Sequence, residues 1–443
     1  MLKTFPKGGI HPAEHKITAG KPTETLPVPK TAVIPLSQHL GAPSTPVVKK
    51  GDMVKAGQLI AKSSAFVSAN IHSSVSGKVT KIDNVIDTSG YRQPAVIIEV
   101  EGDEWDEKID PGKTLKKEIT ISGEEIRKRT EEAGIVGLGG ATFPSHIKLS
   151  VPKGKKAEVL IINGAECEPY LTADHRLMLE KGDELMVGIT LLMKALGVEK
   201  AMIGIENNKP DAVDHLTSLA VNYKGISVHA LKVMYPQGAE KQLIKSLINR
   251  EVPSGALPIE VGTVVHNVGT AVAVYEAVQK NKPLFERVVT VSGKSLKNPG
   301  NFLVRIGTPV SELIEAAGGM PEDTGKIING GPMMGKALNT TEAPVAKGTS
   351  GILVFPASDS KREEVQKCIR CAKCVSICPM GLEPYLLNAA SEREMWEIVE
   401  TDRVLDCMEC GSCSYICPSR LPLLDYIRLG KSTVSKIIRS RKQ

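Results

Sequence analysis

The spacing of hydrophobic and polar residues changes several times along the chain, and each change predicts a different kind of structure. From Ala32 to about Val100, short β-rich runs alternate with turn glycines, which predicts a β domain over residues 31–115. Prolines recur throughout the first fifty residues, so this part should form extended strands and turns that wrap over other domains. We therefore set residues 1–30 apart as an extended N-terminal segment.

A helical pattern follows, and then an alternation of strands and helices. Ser122 and Glu125 form the S-x-x-E capping box of a helix that stops near Gly134. The strand-like and helix-period segments that alternate beyond it are Ala157–Asn163, Asp183–Leu196, Ala201–Glu206, Asp211–Val221, Ile226–Val233, Ala239–Asn249, Thr263–His266 and Gly269–Gln279. This order predicts a mostly parallel sheet covered by helices over residues 116–285, with sites at the carboxyl ends of its strands.

The last third of the chain divides into three predicted parts. Residues 286–357 have the pattern of short strands around one helix at Val310–Ala317. Residues 358–427 hold two cysteine runs separated by a helix predicted over residues 383–398. The fold class is therefore multidomain α/β and β, with an α-helical cysteine-rich domain near the C-terminus.

Residues 428–443 form a predicted basic C-terminal tail, because all their charged residues are basic. These are Arg428, Lys431, Lys436, Arg439, Arg441 and Lys442. The apolar residues that recur beside them at near-helical spacing are Leu423, Leu424, Ile427, Val434, Ile437 and Ile438. Such a stripe could dock on a membrane or a membrane partner. Gly430 interrupts the stripe, however, so a solvated tail is the alternative.

Eight of the nine cysteines lie in two runs with identical spacing, C-x2-C-x2-C-x3-C-P. In such a run, three thiolates converge on one iron–sulfur cube, and the fourth ligates the cube of the other run. The predicted ligand sets of the two [4Fe-4S] clusters are Cys368, Cys371, Cys374 and Cys417, and Cys407, Cys410, Cys413 and Cys378. Structural zinc is disfavoured, since a tetrahedral site has no use for the third cysteine and the x3-Cys-Pro ending.

Composition limits the number of domains, the cellular compartment and the kinds of partner that we expect for this chain. With 443 residues, of which 41% are hydrophobic, the chain can bury more than one core. Residues 1–20 lack the apolar stretch of a signal peptide and no run of 18 apolar residues occurs, so we expect a soluble, cytoplasmic chain without disulfides. Only 4% of residues are aromatic, and the net charge of +6 equals that of residues 428–443 alone, so we expect no nucleic-acid binding.

Two segments of the predicted α/β domain could hold a cofactor. The glycine-dense loop from Gly137 to Pro144 departs from the dinucleotide fingerprint and does not directly follow a strand. It could still bring backbone against a flat ring or a phosphate, with Lys148 as a point charge, although an ordinary turn is the alternative. At a predicted strand end, Glu166 and Glu168 flank the ninth cysteine; a solvated acidic turn is the alternative there.

Four segments together resemble the FMN- and NADH-binding domain of the flavin subunit of respiratory complex I. They are residues 137–148, 163–170, 235–240 and 266–270. With Phe5–Pro12 at the start and the cysteine runs at the end, the whole chain resembles the RnfC family of Rnf electron-transport complexes. Residues 31–115 resemble a lipoyl-like barrel-sandwich domain without an evident carrier lysine. Residues 286–357 resemble the β-grasp module called SLBB, which we interpret as a spacer that positions the clusters.

The resemblance implies a set of cofactor-binding residues. Those implied to hold FMN are Gly137, Gly139, Gly140, Lys148, Asn163, Glu166, Tyr235, Gly238, Asn267 and Thr270. Those implied to contact NADH are Phe143, Glu168 and Glu240. This chain has Ala165 and Ala239 at positions that are acidic in the flavin subunit of complex I, and His266 at an asparagine position. We assign Cys167 no redox role.

The implied activity is that of an NAD-dependent iron–sulfur flavoprotein oxidoreductase. Non-covalent FMN would accept a hydride from NADH and release single electrons to the two clusters. The chain would be the nicotinamide-reacting subunit of a membrane-bound ferredoxin:NAD oxidoreductase, peripheral on the cytoplasmic face, with partner subunits that couple the reaction to ion translocation and with ferredoxin as an indirect partner. The alternatives are an electron-transfer adaptor without nicotinamide chemistry and a corrin- or proline-reductase-linked relative.

Overall fold

Two small antiparallel sheets form the first folded unit of the computed structural model, which describes residues 2–441. The strands of the N-terminal part are β1 (Thr23–Thr25), β2 (Thr31–Pro35), β3 (Thr45–Pro46), β4 (Met53–Val54), β5 (Leu59–Lys62), β6 (Ile71–His72), β7 (Gly77–Ile86) and β8 (Arg92–Val100). The sheets have the orders β2-β8-β7-β4 and β3-β5-β6. Their alternate residues, such as Ile34, Ile60 and Ile98, are fully buried between them. The predicted barrel-sandwich architecture is confirmed.

The N-terminal segment runs across two other parts of the protein. Lys3 pairs with Leu231, and Ile10 pairs with Tyr235, both in the α/β domain. Farther along, β1 lies parallel to residues 301–303 and so extends another sheet. These pairings hold the segment in extended form against both parts.

The α/β domain is built on the parallel sheet β11-β10-β9-β12. Its elements in chain order are α1 (Gly123–Glu132), α2 (Ser145–Leu149), β9 (Val159–Asn163), α3 (Ala173–Glu180), α4 (Gly182–Leu196), β10 (Ala201–Glu206), α5 (Pro210–Ala220), β11 (Ile226–Leu231), α6 (Glu240–Ile248), a 3-10 turn (Pro258–Val261), β12 (Thr263–Asn267) and α7 (Val268–Lys280). Hydrophobic cores lie on both faces of the sheet. Ser122 caps α1 as predicted, but Glu125 pairs with Arg129, so only half of the capping box forms.

The edge strand of the β-grasp unit is β1, which belongs to the N-terminal segment. Its elements are β13 (Glu286–Ser292), β14 (Gly300–Arg305), α8 (Val310–Ala316), β15 (Thr324–Asn329), β16 (Lys336–Ala337) and β17 (Gly351–Pro356). The sheet order is β1-β14-β13-β17-β15-β16. The predicted domain limits, here residues 286–357, remain predictions.

Short helices make up the cysteine-rich domain. They are α9 (Ala357–Ser360), α10 (Lys373–Ser376), α11 (Pro384–Glu392), α12 (Trp396–Thr401), a 3-10 turn (Val404–Asp406), α13 (Ser412–Ile416) and α14 (Leu423–Ser440). The prediction of one helix over residues 383–398 is wrong. The chain breaks it at Glu394, which has a left-handed φ of 57°.

The predicted C-terminal tail is instead part of α14. Gly430 does not interrupt this helix; a β-carbon there would overlap Ser391 Oγ, so the glycine lets α14 approach α11 closely. Leu423, Ile427 and Val434 are buried in the core of the cysteine-rich domain, which explains the apolar stripe without a membrane. Among residues 2–441, no helix is both long enough and apolar enough to cross a membrane.

Several basic residues of α14 are also used within the fold. Arg428 and Lys431 each lie 3.0 Å from the Glu409 carboxylate, and Arg441 lies 2.9 Å from that of Glu400. Lys442, the last basic residue of the predicted tail, lies outside the described residues.

Helix α4 packs on α7 through Gly188, where a β-carbon would overlap the backbone oxygen of Ala271. We predict that Gly188→Ala destabilises the α/β domain by at least about 2 kcal/mol, because a backbone atom cannot rotate away from the clash. Gly20→Ala is the matched control, since a β-carbon there meets open space. Thermal unfolding followed by circular dichroism checks this; equal midpoints for the two variants would contradict the packing.

Candidate flavin and iron–sulfur sites

Two asparagines end neighbouring strands at the carboxyl edge of the parallel sheet. Asn163 of β9 and Asn267 of β12 are register partners. The Asn163 side chain donates to the Gly238 carbonyl (2.8 Å), and the Asn267 side chain donates to Asp174 (2.6 Å). The first amide therefore fastens the turn before α6, and the second fastens the first turn of α3, at the edge where ligands of such sheets bind.

The glycine-dense loop lies over this edge and presents bare backbone. It is closed by a bond from Gly137 N to Phe143 O (2.9 Å) and held by one from Leu138 N to Thr270 Oγ1 (2.9 Å). At Gly139, a β-carbon would come within 3.1 Å of the Asn267 side chain. Gly139 and Gly140 are exposed. A β-carbon would fill part of the space next to this bare backbone. Without side chains, the surface fits close contact with a flat ring such as that of FMN.

A cation lies beside the same edge. Lys148 Nζ is 2.7 Å from a carboxylate oxygen of Glu240 and 3.0 Å from the Val265 carbonyl oxygen. Glu240 is the first residue of α6, and both side chains are partly exposed. A lysine near a helix N-terminus can receive an anionic group such as a phosphate.

Glu166 and Glu168 have positioning contacts that the sequence did not predict. The Glu166 carboxylate accepts the backbone N–H of Asp174 (2.8 Å) and that of His175 (3.2 Å), so it caps α3. The Glu168 carboxylate accepts the N–H of Met333 (3.0 Å) and that of Met334 (2.8 Å) in the β-grasp unit. Burial raises the pKa of Glu168 to about 7 despite these two bonds. Glu168 thus joins the α/β domain to the β-grasp unit.

Tyr235 likewise makes a contact that the sequence did not predict. Its hydroxyl donates to the backbone oxygen of Cys410 (2.8 Å), and the side chain is almost fully buried. The tyrosine expected to hold FMN is thus anchored to the cysteine-rich domain. Gly238, three residues later, lies at the carboxyl edge of the parallel sheet, because a β-carbon there would be 3.4 Å from Asn163 Oδ1. We call this edge, where the flavin is expected, the flavin edge.

Two lysines that the sequence analysis missed bind the backbone of residues 165–171. Lys16 of the N-terminal segment donates to the carbonyls of Glu166 (2.7 Å), Glu168 (2.9 Å) and Leu171 (2.6 Å). Lys209 donates to the Ala165 carbonyl (2.7 Å). Lys209 is buried with Glu206 at 3.8 Å, and burial lowers the pKa of the lysine and raises that of Glu206 to about 7. No local sequence pattern marks either lysine, because the bonds span distant parts of the chain.

Four cysteines from both runs line one cavity in the cysteine-rich domain. They are Cys378 of the first run and Cys407, Cys410 and Cys413 of the second. The remaining lining is mostly apolar and includes Leu387 and Ile427. We call these four residues the inner cysteines. Their shared cavity fits the cross-ligated set, although ligation itself remains a prediction.

The other four residues, Cys368, Cys371, Cys374 and Cys417, are the outer cysteines. Cys374 packs against the core of the cysteine-rich domain, which also contains Cys417. The segment before Cys368 runs beside the one after Cys417, since Gln366 N donates to Ser419 O and Ser419 Oγ donates to Lys367 O, both at 2.9 Å. Cys368 and Cys371 are exposed, so this set lies at the surface.

Within residues 2–441, no three His, Cys, Asp or Glu side chains are arranged around a single metal ion. A zinc ion holds its ligands at about 2.0–2.3 Å, whereas each thiolate of a [4Fe-4S] cube binds a different iron and can stand farther apart. The wider spacing of the cysteines is therefore compatible with a cluster.

Four family models match consecutive parts of the chain. They are the RnfC barrel sandwich hybrid domain (residues 3–103), the Nuo51 FMN-binding domain (130–276), the SLBB domain (288–337) and the 4Fe-4S dicluster domain (360–418). The predicted domain types and the FMN and [4Fe-4S] cofactors are confirmed. Fold and sites together define an iron–sulfur flavoprotein.

Curated relatives extend over almost the whole chain. The chain is 50% identical to the C subunit of the proton-translocating ferredoxin:NAD(+) oxidoreductase complex of Clostridium ljungdahlii, over 98% of this chain and 94% of the relative. It is 46% identical to the C subunit of the Na(+)-translocating ferredoxin:NAD(+) oxidoreductase complex of Acetobacterium woodii (97% and 96%) and 44% identical to that of the ion-translocating oxidoreductase complex of Rhodobacter capsulatus (86% and 74%). The chain belongs to the family formed by the C subunits of these oxidoreductase complexes.

We predict that Cys378→Ala removes the cluster of the second run, lowering bound iron from about eight to about four per chain. Its EPR spectrum should match that of Cys407→Ala, whereas Cys417→Ala should match Cys371→Ala. Cys167→Ala, at the ninth cysteine, is the control and should keep both clusters. A Cys378→Ala spectrum that matches Cys371→Ala would contradict the cross-ligation.

Proposed function

We propose that this chain is the nicotinamide-reacting subunit of a membrane-bound ferredoxin:NAD oxidoreductase. It passes electrons between NAD(H), FMN and two [4Fe-4S] clusters, and other subunits couple the reaction to ion translocation. The close relatives named above support the reaction. The observation that carries the proposal is the turn from Tyr235 to Gly238, which belongs to both sites.

This turn spans the space between the flavin edge and the inner cysteines. At one end, the Gly238 carbonyl accepts the Asn163 side chain at the edge of the sheet. At the other end, Tyr235 donates to the backbone of Cys410. A flavin held by the first and a cluster held by the second are therefore neighbours, as electron transfer between them requires.

The residues proposed to hold FMN surround the carboxyl edge of the sheet. Backbone of Gly137, Gly139, Gly140 and Gly238 supplies the surface for the ring, and Asn163, Asn267 and Thr270 fix the loops that present it. Lys148 supplies a positive charge for the phosphate. Glu166 acts indirectly, because its carboxylate caps α3 and so fixes the segment below the site. When bound, FMN supplies the exchange between two-electron nicotinamide chemistry and one-electron cluster chemistry.

For the nicotinamide, we propose Phe143 and Glu240 as contacts, because both are partly exposed and belong to segments at this edge. Glu168 instead positions the β-grasp loop, as its two bonds to backbone N–H groups indicate. We infer that the inner cluster exchanges electrons with the flavin, since Cys410, one of the inner cysteines, accepts the hydrogen bond from Tyr235. The outer cluster then connects the protein to its partners.

We also propose a peripheral position at the cytoplasmic face of the membrane, held by the other subunits, with ferredoxin as an indirect partner. The apolar stripe of α14 is buried within the chain, so attachment through a C-terminal tail has lost its main support. Binding through partner subunits is the simpler proposal.

We predict that NADH bleaches the absorbance of bound FMN in the anaerobic protein. Lys148→Ala should weaken FMN binding about 10- to 150-fold, because a lost bond to a charged group costs about 1.5–3 kcal/mol. Lys155→Ala is the matched control, since Lys155 is similarly exposed and pairs with Glu260 at 2.5 Å, away from the carboxyl edge. FMN titration by fluorescence, with iron content as a check, measures both variants. Protein that retains its clusters but never binds FMN or responds to NADH would favour the adaptor.

A further inference from the structure

The two cysteine runs have the same spacing but use the residues between their cysteines differently. In the second run, Met408 packs against Tyr235 and Ile10, Gly411 lies against the backbone of Met333, and Ser412 is fully buried. The residues at these positions therefore contact other parts of the same chain. Ligation of a cluster alone does not require such contacts, so they show which face of the domain is turned inward.

The corresponding positions of the first run are turned outward. All residues from Lys361 to Lys373 are exposed, including Ile369, whose side chain is 67% exposed. The segment is nonetheless fixed, since Gln366 and Lys367 are bonded to Ser419. An apolar side chain is therefore held at the surface directly beside Cys368.

Three cations surround the outer cysteines without compensation. Lys367, Arg370 and Lys373 have no ion pair within residues 2–441, and no acidic residue lies between them in sequence. Their neighbours in the same region are paired: Arg362 with Asp425 at 3.0 Å and Arg420 with Glu363 at 2.6 Å. In the second run the only charged residue, Glu409, is neutralised by α14.

We propose that Lys367, Arg370, Lys373 and Ile369 form a docking surface for an acidic face of another subunit of the complex. This rests on the proposed function, in which the outer cluster connects the chain to its partners. Weak electron-transfer contacts are small, and opposite charges around the redox centres orient the two proteins and raise the association rate about 10- to 1,000-fold. The exposed isoleucine gives such a surface an apolar centre within a basic rim.

The test measures binding of the full, cluster-loaded chain to the remaining subunits, purified in detergent without this chain, over a salt series. The triple variant Lys367→Gln, Arg370→Gln, Lys373→Gln should bind about tenfold more weakly or worse at low salt, with a shallower salt dependence. The control replaces Lys153, Lys156 and Lys224 with glutamine; these exposed lysines lie at the amino ends of the parallel strands, far from the cysteines along the fold. Its binding should equal that of the unaltered chain.

Three further measurements separate the possible results. Iron content and EPR establish that the outer cluster is intact. If the triple variant loses this cluster, the single variant Lys367→Gln is used in its place, because Lys367 precedes the first cysteine. NADH bleaching of FMN should be unchanged, so failure of the docking surface is distinguishable from failure of the proposed function. Vesicles of phosphatidylglycerol, with phosphatidylcholine as the neutral reference, test an anionic lipid as the ligand.

Equal binding of both triple variants to the subunits would overturn the proposal. So would loss of vesicle binding alone, because the surface would then serve the membrane. A shift in the midpoint potential of the outer cluster without any loss of binding to the other subunits would also overturn it, since the cations would then serve only to offset the charge of the cluster.

Discussion

The hydrogen bond from the Tyr235 hydroxyl to the Cys410 carbonyl is the contact on which the arrangement of the two redox sites depends. It joins the α/β domain to the inner cysteines, and it is buried among apolar side chains, where an unpaired hydroxyl would be costly. Because the same turn carries Gly238 at the flavin edge, any displacement of the cysteine-rich domain would also disturb the flavin site. The distance between the sites is thus fixed by one short, buried piece of chain.

Around this contact, partly or fully buried lysine and glutamate side chains join domains by hydrogen bonds to backbone atoms of their neighbours. Lys16 donates to three carbonyls of the 166–171 segment, and Glu168 accepts two N–H groups of the β-grasp unit. Lys347 of the β-grasp unit donates to Asn70 O (2.8 Å) in the barrel-sandwich domain and to Gly134 O (2.7 Å) in the α/β domain. Burial lowers the pKa of Lys347 to about 7. Charge-assisted bonds to backbone are directional, so they fix orientation between domains better than apolar packing alone.

The sequence predicted those features that repeat locally. The alternation of β9 to α7 was predicted within a few residues because strand and helix periods are visible in a single window. The cysteine spacing predicted the grouping of the inner cysteines, which line one cavity, while the ligation of both sets stays a prediction. It failed where a residue acts on a distant part of the chain. Gly430 was expected to interrupt a stripe, but its effect depends on Ser391, and the bonds of Glu168 to Met333 and Met334 had no signal in the sequence. Lys16 and Lys209 carry no local signal at all.

The central claim is that electrons pass between the nicotinamide and the clusters through the inner set, next to the flavin. Freeze-quench EPR after anaerobic mixing with NADH tests it directly in two variants, Cys371→Ala without the outer cluster and Cys407→Ala without the inner one. We expect the inner cluster of Cys371→Ala to be reduced at the rate of the unaltered protein, and the outer cluster of Cys407→Ala to be reduced far more slowly even though its FMN is bleached. Reduction of the outer cluster at an unchanged rate in Cys407→Ala would contradict the account.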